Sequence, residues 1–588
     1  MKLKSITLSL HILALGLGLA YGGTPTQEGF DQLNKAFKHA TKELTAVKSP
    51  EQLATAMGKL KTLLQECQQN KKLKDILSLT PETCPENLKK AYQEALALQA
   101  DMKDAAKRLA MAGIMQGNDN SKDYMDFIQI IQLTGDNQTA QGQREGAPAE
   151  SAEARDARMK WWRDGKFGMF IHYGLYSGLA GEMQGKKFNG CVEWIMQYSG
   201  ADSDTYAKEA LAKFNPKSGK AAEWVKLAKE AGCTYTVLTS RHHEGYNMFD
   251  TKFSDFNVKK TKGVDVVGEY AKACKKLGIK AGYYVSTIDW SHPDYDPTGS
   301  GISYPQGNFD AQKAGKRTFG NHEQYKKYLY NIFDELLTKY GPVDLVWWDF
   351  SQPNFQGDKA WGATALMKNL FDKNPKAIQN NRLFHSENHL SEGGIRVTPV
   401  EKGDYSTAEH HIPATGINGD WEACQTLNGT WGYSADNQKW KTSPELIKEL
   451  VDTVSRGGNF LLNIGPMPDG SIPPESVRLF KEIGAWMKKN GEAIYGTRAN
   501  PLNVELPWGR ITRKGDNTTY IFVYQKPENG QITIPCTFDA PQAKALADGT
   551  KIKVSQDKEA NTTTFDIKNL KEQPGASVIK VTGKRIVK

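Results

Sequence analysis

The sequence of 588 residues predicts a multidomain protein with an N-terminal α-helical segment, a central (β/α)8-like barrel of the TIM type and a C-terminal antiparallel β-sandwich. Three observations support this prediction. Before residue 134 the apolar residues recur only at helical spacing. Between residues 158 and 498 strand-like runs alternate with helix-like runs, and from residue 499 short alternating segments are separated by Gly, Asn and Asp. A chain of this length is too long for one hydrophobic core.

The first 22 residues have the pattern of a secretory signal peptide. Lys2 and Lys4 precede an apolar run from Ile6 to Ala20, and the small residues around Ala20-Tyr21-Gly22 are typical of a cleavage site. A membrane anchor is the alternative, but the run is shorter than the roughly 20 residues that a spanning helix needs. We therefore expect a secreted or periplasmic protein without a membrane anchor.

Residues 23–134 are predicted to form a helical bundle. Leu33, Phe37 and Leu44 lie near helical spacing, while Lys and Glu occupy the other faces. We assign no chemistry to this segment. Cys67 and Cys84 lie within it and could form a disulfide. A polar stretch rich in Gly, Ala and Gln follows, and residues 135–157 are predicted to be a linker.

Charge and cysteine content exclude several classes of function. The net charge of +9 comes from 76 basic and 67 acidic residues that are spread along the chain. A nucleic-acid-binding protein would gather its basic residues into one patch, so we expect no nucleic-acid partner. Seven cysteines are too few for a disulfide scaffold, and no C-x-x-C pair suggests zinc or redox chemistry.

Residues 158–498 are predicted to be the catalytic barrel, because each strand-like run leads into residues capable of chemistry. The runs are Phe167–Ile171, Tyr235–Ser240, Ala281–Ser286 and Val343–Trp348. The polar residues that follow them are His172, Arg241 to Glu244, Asp289 and Asp349. The C-terminal ends of barrel strands are where such folds build an active site.

Asp349 is the strongest candidate from the residues alone. Strand periodicity places Leu345, Trp347 and Asp349 on one face, so a carboxylate would emerge at the barrel mouth beside an indole. An indole face suits a sugar ring, and a carboxylate suits attack on the anomeric carbon. A helix-capping Asp is the alternative for this position.

His242 and His243 invite a metal-site hypothesis that we do not favour. Adjacent strand residues point to opposite faces, so both could bind one ion only at a bulge. Hydrogen bonding to sugar hydroxyls suits two imidazoles better, since each ring offers a donor and an acceptor. We predict neither a metal nor a cofactor.

Glycoside hydrolysis needs a second carboxyl group to protonate the leaving group. The residue pattern does not rank the candidates, because all lie in a polar region that reads as loop. They are Glu387, Glu392, Glu401, Asp404, Glu409 and Glu422.

Six motifs resemble, in the same order, those of the α-L-fucosidases of glycoside hydrolase family 29. They are Trp161–Ser177, Glu193-Trp194, Leu238–Gly245, Tyr283–Trp290, Trp431–Tyr433 and Gly457–Pro466. The resemblance covers about residues 158–498 and is weaker in the β-domain. The helical segment lies outside it.

The resemblance implies an exo-acting, retaining enzyme that removes terminal α-L-fucose from glycans without a cofactor; in a eukaryote it would be lysosomal. By motif, Asp349 matches the nucleophile and Glu409 the acid/base. The residues that match sugar-binding positions are His172, Glu193, Trp194, His242, His243, Tyr284, Trp347 and Arg382.

The sequence differs from the family at three positions near these motifs. Tyr173 replaces a usual Trp, Glu244 a usual Asp, and Phe350 a common Gly. Two other functions stay open, a non-catalytic fucose-binding relative and a retaining hydrolase of a related sugar. The sequence predicts no particular fucosyl linkage, aglycone or oligomeric state.

Overall fold

The structure, a computed structural model, describes residues 150–586 except 299–303, 353–354, 385–402, 414–415, 418 and 503–505. Before residue 150 it describes only positions 31, 34, 35, 38, 42, 86–90 and 94. The predicted signal peptide, most of the helical segment, Cys67, Cys84 and three acid candidates (Glu387, Glu392 and Glu401) therefore lie outside the described residues.

Eight parallel strands form the centre of the catalytic region. In chain order they are Phe167–Ile171, Tyr235–Arg241, Lys280–Ser286, Leu345–Asp349, Ile378–Gln379, Ser406–Glu409, Trp421–Gln425 and Asn459–Ile464. Each strand pairs with the next along the chain except the fifth with the sixth, and the first pairs with the last. A parallel bridge between Asn380 and Tyr405 joins the two remaining edges. The sheet is thus curled into a barrel, which confirms the predicted parallel α/β architecture.

Helices connect the strands. They are Ala152–Gly165, Leu175–Leu179, Ile195–Tyr198, Ser203–Lys213, Lys220–Ala231, Val258–Lys262, Val266–Leu277, Gln306–Lys313, His322–Lys339, Gly357–Trp361, Ala363–Lys373, Ser443–Ser455 and Pro474–Asn490. Local sequence fixes their ends. At Ser443–Ser455, for example, Thr442 and Glu445 form a reciprocal capping box and Pro444 occupies the first turn.

The barrel interior is packed rather than hollow. Every residue of the first, second, fourth and last strands is buried. One apolar cluster combines Phe170, Tyr284 and Trp347 with Leu345 and Leu461. This packing holds the strand ends in fixed positions, which is what a precise site at the barrel mouth requires.

The C-terminal region is an antiparallel sheet. Its seven strands are Gly509–Lys514, Thr518–Val523, Gln531–Ile534, Gln542–Ala545, Lys551–Asp557, Thr562–Asp566 and Ser577–Thr582. A separate two-stranded sheet pairs Thr537–Phe538 with Arg585–Ile586. The antiparallel character is confirmed, while the division into two sandwich layers stays a prediction.

Four of the eight barrel strands had no strand prediction from periodicity, and three of these four lack a marked apolar run. Ser406–Glu409 and Trp421–Gln425 lie in the region that reads as loop, and Ile378–Gln379 has only two residues. These strands carry Ser, Thr, Glu and Gln side chains into the barrel, so they lack the apolar run that marks a buried strand. The interpretation of residues 387–422 as loop was therefore wrong for Ser406–Glu409 and Trp421–Glu422.

Two smaller findings concern thiols and membranes. Cys233 and Cys274 are buried free thiols. Within the described part of the chain, no helix is both long and apolar enough to cross a membrane.

A buried ion pair fastens the first helix to the barrel, and its loss should destabilise the fold. Arg158 contacts Asp404 at 2.6 Å and Glu150 at 2.8 Å, and the side chain of Asp404 is fully buried. Arg158→Met leaves that carboxylate without its partner, so we expect a loss of about 3–5 kcal/mol in unfolding free energy, measured in urea. Lys368→Met, which breaks an exposed pair with Asp372, is the matched control and should change little. Equal effects of the two variants would contradict this assignment.

Candidate active site

A pocket of about 270 Å³ opens at the C-terminal ends of the barrel strands. This volume is below the ~300–1,000 Å³ of pockets for drug-sized ligands, and it suits a single sugar ring. All ten residues singled out from the sequence line it. Six further residues also line it, namely Phe170, Cys191, Tyr198, Phe350, His410 and Trp431.

Asp349 is the last residue of its strand and is held from two sides. Its Oδ2 accepts a hydrogen bond from Tyr284 Oη at 2.7 Å, and its Oδ1 accepts one from Arg382 Nη1 at 2.7 Å. Burial raises the pKa of Tyr284 well above 10, so this phenol stays a donor. Both contacts stabilise an ionised carboxylate.

Arg382 contacts both candidate catalytic carboxylates. While Nη1 donates to Asp349, Nη2 donates to Glu409 Oε2 at 2.7 Å. Nε donates to Thr407 Oγ1 at 2.8 Å, and the guanidinium stacks 4.2 Å from the Trp347 ring centroid. Burial lowers the pKa of Arg382, but the charges of Glu409 and Asp349 raise it by more. The guanidinium is therefore a permanent positive charge between the two acids.

Trp347 forms the support beneath this arrangement and is oriented by a buried acid. Its Nε1 donates to Glu422 Oε1 at 3.1 Å, and Tyr235 Oη donates to the other oxygen of Glu422 at 2.5 Å. Burial raises the pKa of Glu422 to about 7. Glu422 thus lies inside the barrel and below the pocket.

Hydrogen bonds fix the tautomers of two histidines. Asn463 Nδ2 donates to the Trp431 carbonyl at 2.7 Å, so its Oδ1 is the acceptor for His172 Nδ1 at 2.7 Å. Ser286 Oγ donates to the Ile288 carbonyl, so the same oxygen accepts from His243 Nδ1 at 2.8 Å.

Both imidazoles are neutral for a physical reason. Burial, and next the electrostatic interaction with the neighbouring His242 imidazole, lower the pKa values of His172 and His243 well below 6.5. Each ring therefore keeps its proton on Nδ1 and leaves Nε2 as an acceptor. Two acceptors of this kind can receive hydrogen bonds from sugar hydroxyl groups.

The adjacent His242 and His243 both line the pocket, against the expectation for consecutive strand residues. The strand register shifts between Thr239 and Arg241, and the two histidines lie just beyond the strand end. Their ring centroids are 4.1 Å apart. This bulge was the condition set for a shared metal. Nevertheless, no group of three or more His, Cys, Asp or Glu among the described residues is arranged to hold a metal ion.

Glu193 and Trp194 reach the pocket from a 3-10 helix, Val192–Trp194. Glu193 Oε2 accepts a hydrogen bond from the Gly432 amide at 3.0 Å, and burial raises the pKa of this carboxyl group. The Trp194 ring packs 5.2 Å from the His243 ring. These two side chains therefore form the wall next to the histidines.

Two alternative acids from the sequence do not line the pocket. Asp404 accepts from Arg158 and from the Gln379 amide, and it is away from the pocket. Glu422 lies under Trp347 and does not line the pocket. Among the described candidates, only Glu409 lies at the pocket with Asp349.

Sequence reasoning missed the residues that support the site. Asn463 and Ser286 set the histidine tautomers, and both lie within motifs of the family resemblance. His410 follows Glu409 and adopts a positive φ of 54°. No periodicity signals such roles, since each depends on a partner far along the chain.

Of the three positions that differ from the family pattern, one reaches the pocket. Tyr173 donates to the Pro468 carbonyl, away from the pocket. Glu244 lies behind His242, with its Oε2 3.6 Å from His242 Nδ1. Phe350 lines the pocket beside Asp349.

Comparison with known proteins places this geometry in a family. The family described as "Alpha-L-fucosidase" matches residues 133–492. The chain belongs to the alpha-L-fucosidase family. It is therefore a glycoside hydrolase of family 29, and the resemblance read from the six motifs is confirmed.

Several alpha-L-fucosidases are similar in sequence to this chain over most of its length. Tissue alpha-L-fucosidase of Homo sapiens is 30% identical over 416 residues, which cover 68% of this chain and 82% of the relative. Alpha-L-fucosidase of Dictyostelium discoideum is 30% identical over 400 residues, which cover 64% of this chain and 79% of the relative. Plasma alpha-L-fucosidase of Homo sapiens is 27% identical, and the match covers 69% of this chain and 85% of the relative.

Solved structures share the fold. Alpha-L-fucosidase isoenzyme 1 from Paenibacillus thiaminolyticus is 34% identical with a TM-score of 0.64, covering 73% of this chain and 99% of that one. A covalent intermediate of an alpha-L-fucosidase from Bacteroides thetaiotaomicron, trapped with 2-fluoro-fucosyl fluoride, is 27% identical. Its TM-score is 0.62, and the match covers 75% of this chain and 99% of that one.

The raised pKa of Glu422 predicts a specific dependence of stability on pH. Between pH 4.5, its ordinary value, and about 7, the folded protein holds this proton more tightly than the unfolded chain. Folding stability therefore falls as the pH rises through this window. Glu422→Gln cannot ionise at this position. Its unfolding free energy should therefore rise by on the order of 3 kcal/mol relative to that of the native protein as the pH increases from 4.5 to 7.5.

Urea unfolding of both proteins across this range measures that difference. The exposed Glu182 provides the control variant, Glu182→Gln, which should track the native protein at every pH. A stability difference between Glu422→Gln and the native protein that does not vary with pH would refute the assignment.

Proposed function

We propose that the protein is an exo-acting, retaining α-L-fucosidase that releases terminal fucose from glycans through a covalent fucosyl–Asp349 intermediate. The observation that carries this proposal is the contact of one guanidinium, Arg382, with both Asp349 and Glu409. Retaining glycosidases hold their two carboxyl groups roughly 5–5.5 Å apart, and inverting enzymes hold them farther apart. Two acids bound to one guanidinium suit the shorter separation.

In the first step Asp349 is the nucleophile. Its carboxylate attacks the anomeric carbon while protonated Glu409 gives its proton to the glycosidic oxygen, and the bond from carbon to leaving group breaks. The products are a fucosyl ester on Asp349, with inverted configuration, and the free leaving-group alcohol. Tyr284 supports the nucleophile, because its hydroxyl donates to Asp349 Oδ2.

In the second step Glu409 is the general base. It takes a proton from water as the water oxygen attacks the anomeric carbon, and the ester bond to Asp349 breaks. Once Asp349 is esterified it carries no charge, so the positive charge of Arg382 is left to pair with ionised Glu409. The contact of 2.7 Å between Arg382 and Glu409 suits this stage. The second inversion restores the original configuration.

The neutral histidines supply the sugar contacts in this proposal. His172 and His243 each present an Nε2 acceptor, and buried Glu193 adds carboxyl oxygens. Trp347 offers a ring face. A pocket of about 270 Å³ encloses one sugar, which favours removal of a terminal residue over cleavage within a chain.

Two observations favour this function over the alternatives. A non-catalytic fucose-binding relative would not need both carboxylates, yet Asp349 and Glu409 converge on Arg382. The trapped covalent intermediate in the related Bacteroides thetaiotaomicron structure supports a covalent route with a fucosyl donor. A galactoside hydrolase has no observation of its own in its favour.

We also propose that residues 1–22 direct export, so the enzyme would work outside the cytoplasm on fucosylated glycans. The predicted domain boundaries at residues 134 and 498 belong to the same proposal, whereas the predicted end of the linker at residue 157 falls inside helix Ala152–Gly165. The basic N-region, the apolar run and the small residues Ala20 and Gly22 support the export signal.

Removal of the nucleophile should abolish turnover while leaving ligand binding intact. In Asp349→Gly the histidines remain, so fucose should still bind, while hydrolysis of an aryl fucoside should fall by at least about 10⁴-fold. Added azide should restore part of the rate and give a fucosyl azide of inverted configuration, detected by NMR. Near-native activity of Asp349→Gly without azide would overturn the proposal.

Removal of the acid should affect substrates according to their leaving groups. A natural alcohol needs protonation to depart, whereas nitrophenolate and fluoride depart readily. For Glu409→Ala we expect a loss of about 10²–10⁴-fold in kcat/KM on fucosyl disaccharides and a much smaller loss on fucosyl fluoride. Glu422→Gln is the matched control, because Glu422 lies under the pocket and should show no dependence on the leaving group. An equal loss of Glu409→Ala on both substrate classes would place the acid elsewhere.

A further inference from the structure

Phe350 is held in a strained backbone conformation immediately after Asp349. Its φ is 82°, in a region that a bulky side chain rarely adopts. Strain of this kind persists only where neighbouring contacts impose it, and such positions concentrate at active sites and ligand contacts. The strained backbone of Phe350 must therefore be held by neighbouring contacts, and it fixes where the Phe350 ring lies.

The cause is a set of contacts on both sides of the residue. Thr287 Oγ1 donates to the carbonyl of Asp349 at 2.8 Å and also contacts the carbonyl of Phe350. Ser351 Oγ donates to the Arg382 carbonyl at 2.9 Å, and Trp361 Nε1 donates to Ser351 Oγ at 2.9 Å. The chain before and after Phe350 is thus fastened to neighbouring segments.

The consequence is that the Phe350 ring lies against two pocket residues. Its centroid is 5.3 Å from the His243 ring and 5.6 Å from the Trp194 ring. Trp194 in turn stacks with Tyr198 at 6.3 Å, with an angle of 30° between the ring planes. Phe350, Trp194 and Tyr198 form a continuous row of rings, which we name the aromatic strip, and all three line the pocket.

The aromatic strip runs from the nucleophile to solvent. Phe350 is 5% exposed, whereas Tyr198 is 50% exposed. The other large hydrophobic residues that are exposed in the described part of the chain are Phe253, Tyr330 and Ile586, at 37–45%. Tyr198 exceeds them all, and none of those three lines the pocket. Tyr198 continues the row of rings that lines the pocket, and a contiguous apolar surface of this kind marks a ligand-binding groove.

We propose that the aromatic strip is a leaving-group subsite that binds the apolar face of a pyranose ring. The inference rests on the proposed function, in which the pocket encloses only the terminal fucose. Any part of the substrate that meets half-exposed Tyr198 must then lie at the solvent-facing rim of the pocket, on the leaving-group side. Aromatic rings bind the C–H face of a sugar, and they make no demand on a particular hydroxyl pattern.

The subsite therefore selects the class of substrate. It favours fucose linked to a second pyranose over fucose linked to a small or flexible group. Phe350, which replaces a residue without a side chain in the family pattern, is the specificity-determining element. Trp194 serves both the fucose pocket and the strip.

The test compares two substrates that differ only in the leaving group. Fucosyl fluoride has no ring to stack, and an α-L-fucosyl disaccharide with galactose or N-acetylglucosamine has one. We expect Tyr198→Ala and Phe350→Gly each to lower the ratio of disaccharide to fluoride kcat/KM by about 5- to 20-fold. The loss on the disaccharide should fall mainly on KM, because the ring contact is the same in the ground state and the transition state.

Tyr198→Ala alters an exposed side chain, so it keeps the test valid if Phe350→Gly fails to fold. Tyr330→Ala, at an exposed tyrosine away from the pocket, is the matched control and should leave the ratio unchanged. An unchanged or increased ratio in Tyr198→Ala, with fluoride hydrolysis intact, would overturn the subsite alone. Absence of fucosyl fluoride hydrolysis by the native protein would overturn the proposed function, and the subsite with it.

Discussion

The guanidinium of Arg382 is the group on which the arrangement of the site depends. Two carboxyl groups that lie close together repel each other when both are ionised, and a fixed positive charge between them offsets this repulsion. Arg382 provides this charge at 2.7 Å from Asp349 and from Glu409. Its side chain is almost fully buried, so solvent screens the attraction little. Thr407 and Trp347 then fix the guanidinium plane, and with it the distance between the acids.

Buried polar side chains inside the barrel hold Trp347, and through it Arg382, in position. Trp347 can support Arg382 because Glu422 accepts its indole hydrogen, and Glu422 is held in turn by Tyr235. These groups come from three different strands. A buried polar network is favourable only when its members are satisfied, and this requirement explains why these strands contain Glu and Tyr rather than apolar residues alone. Polar residues such as Glu422 also make one of these strands, Trp421–Gln425, hard to recognise in the sequence.

Strand periodicity predicted one of the two candidate catalytic acids, Asp349, but not the other, Glu409. Asp349 followed from strand periodicity, because Leu345 and Trp347 mark the inward face and the carboxylate comes last. The pocket brings together all ten residues singled out from the sequence. Glu409 could not be ranked above Asp404 or Glu422 by pattern, because its strand has no apolar run. The motif resemblance selected it, and its position against Arg382 separates it from those two.

Local sequence was sufficient for features that arise within one segment. The capped helix Ser443–Ser455, the strand before Asp349 and the six family motifs all depend on neighbouring residues, and short-range sterics and periodicity specify them. Contacts across the chain determined the rest. The tautomer of His172 depends on Asn463, 291 residues away, and the strained backbone of Phe350 depends on Thr287. Such effects exist only after the barrel has brought distant strand ends together, since charge, burial and hydrogen bonding act through space and not along the chain.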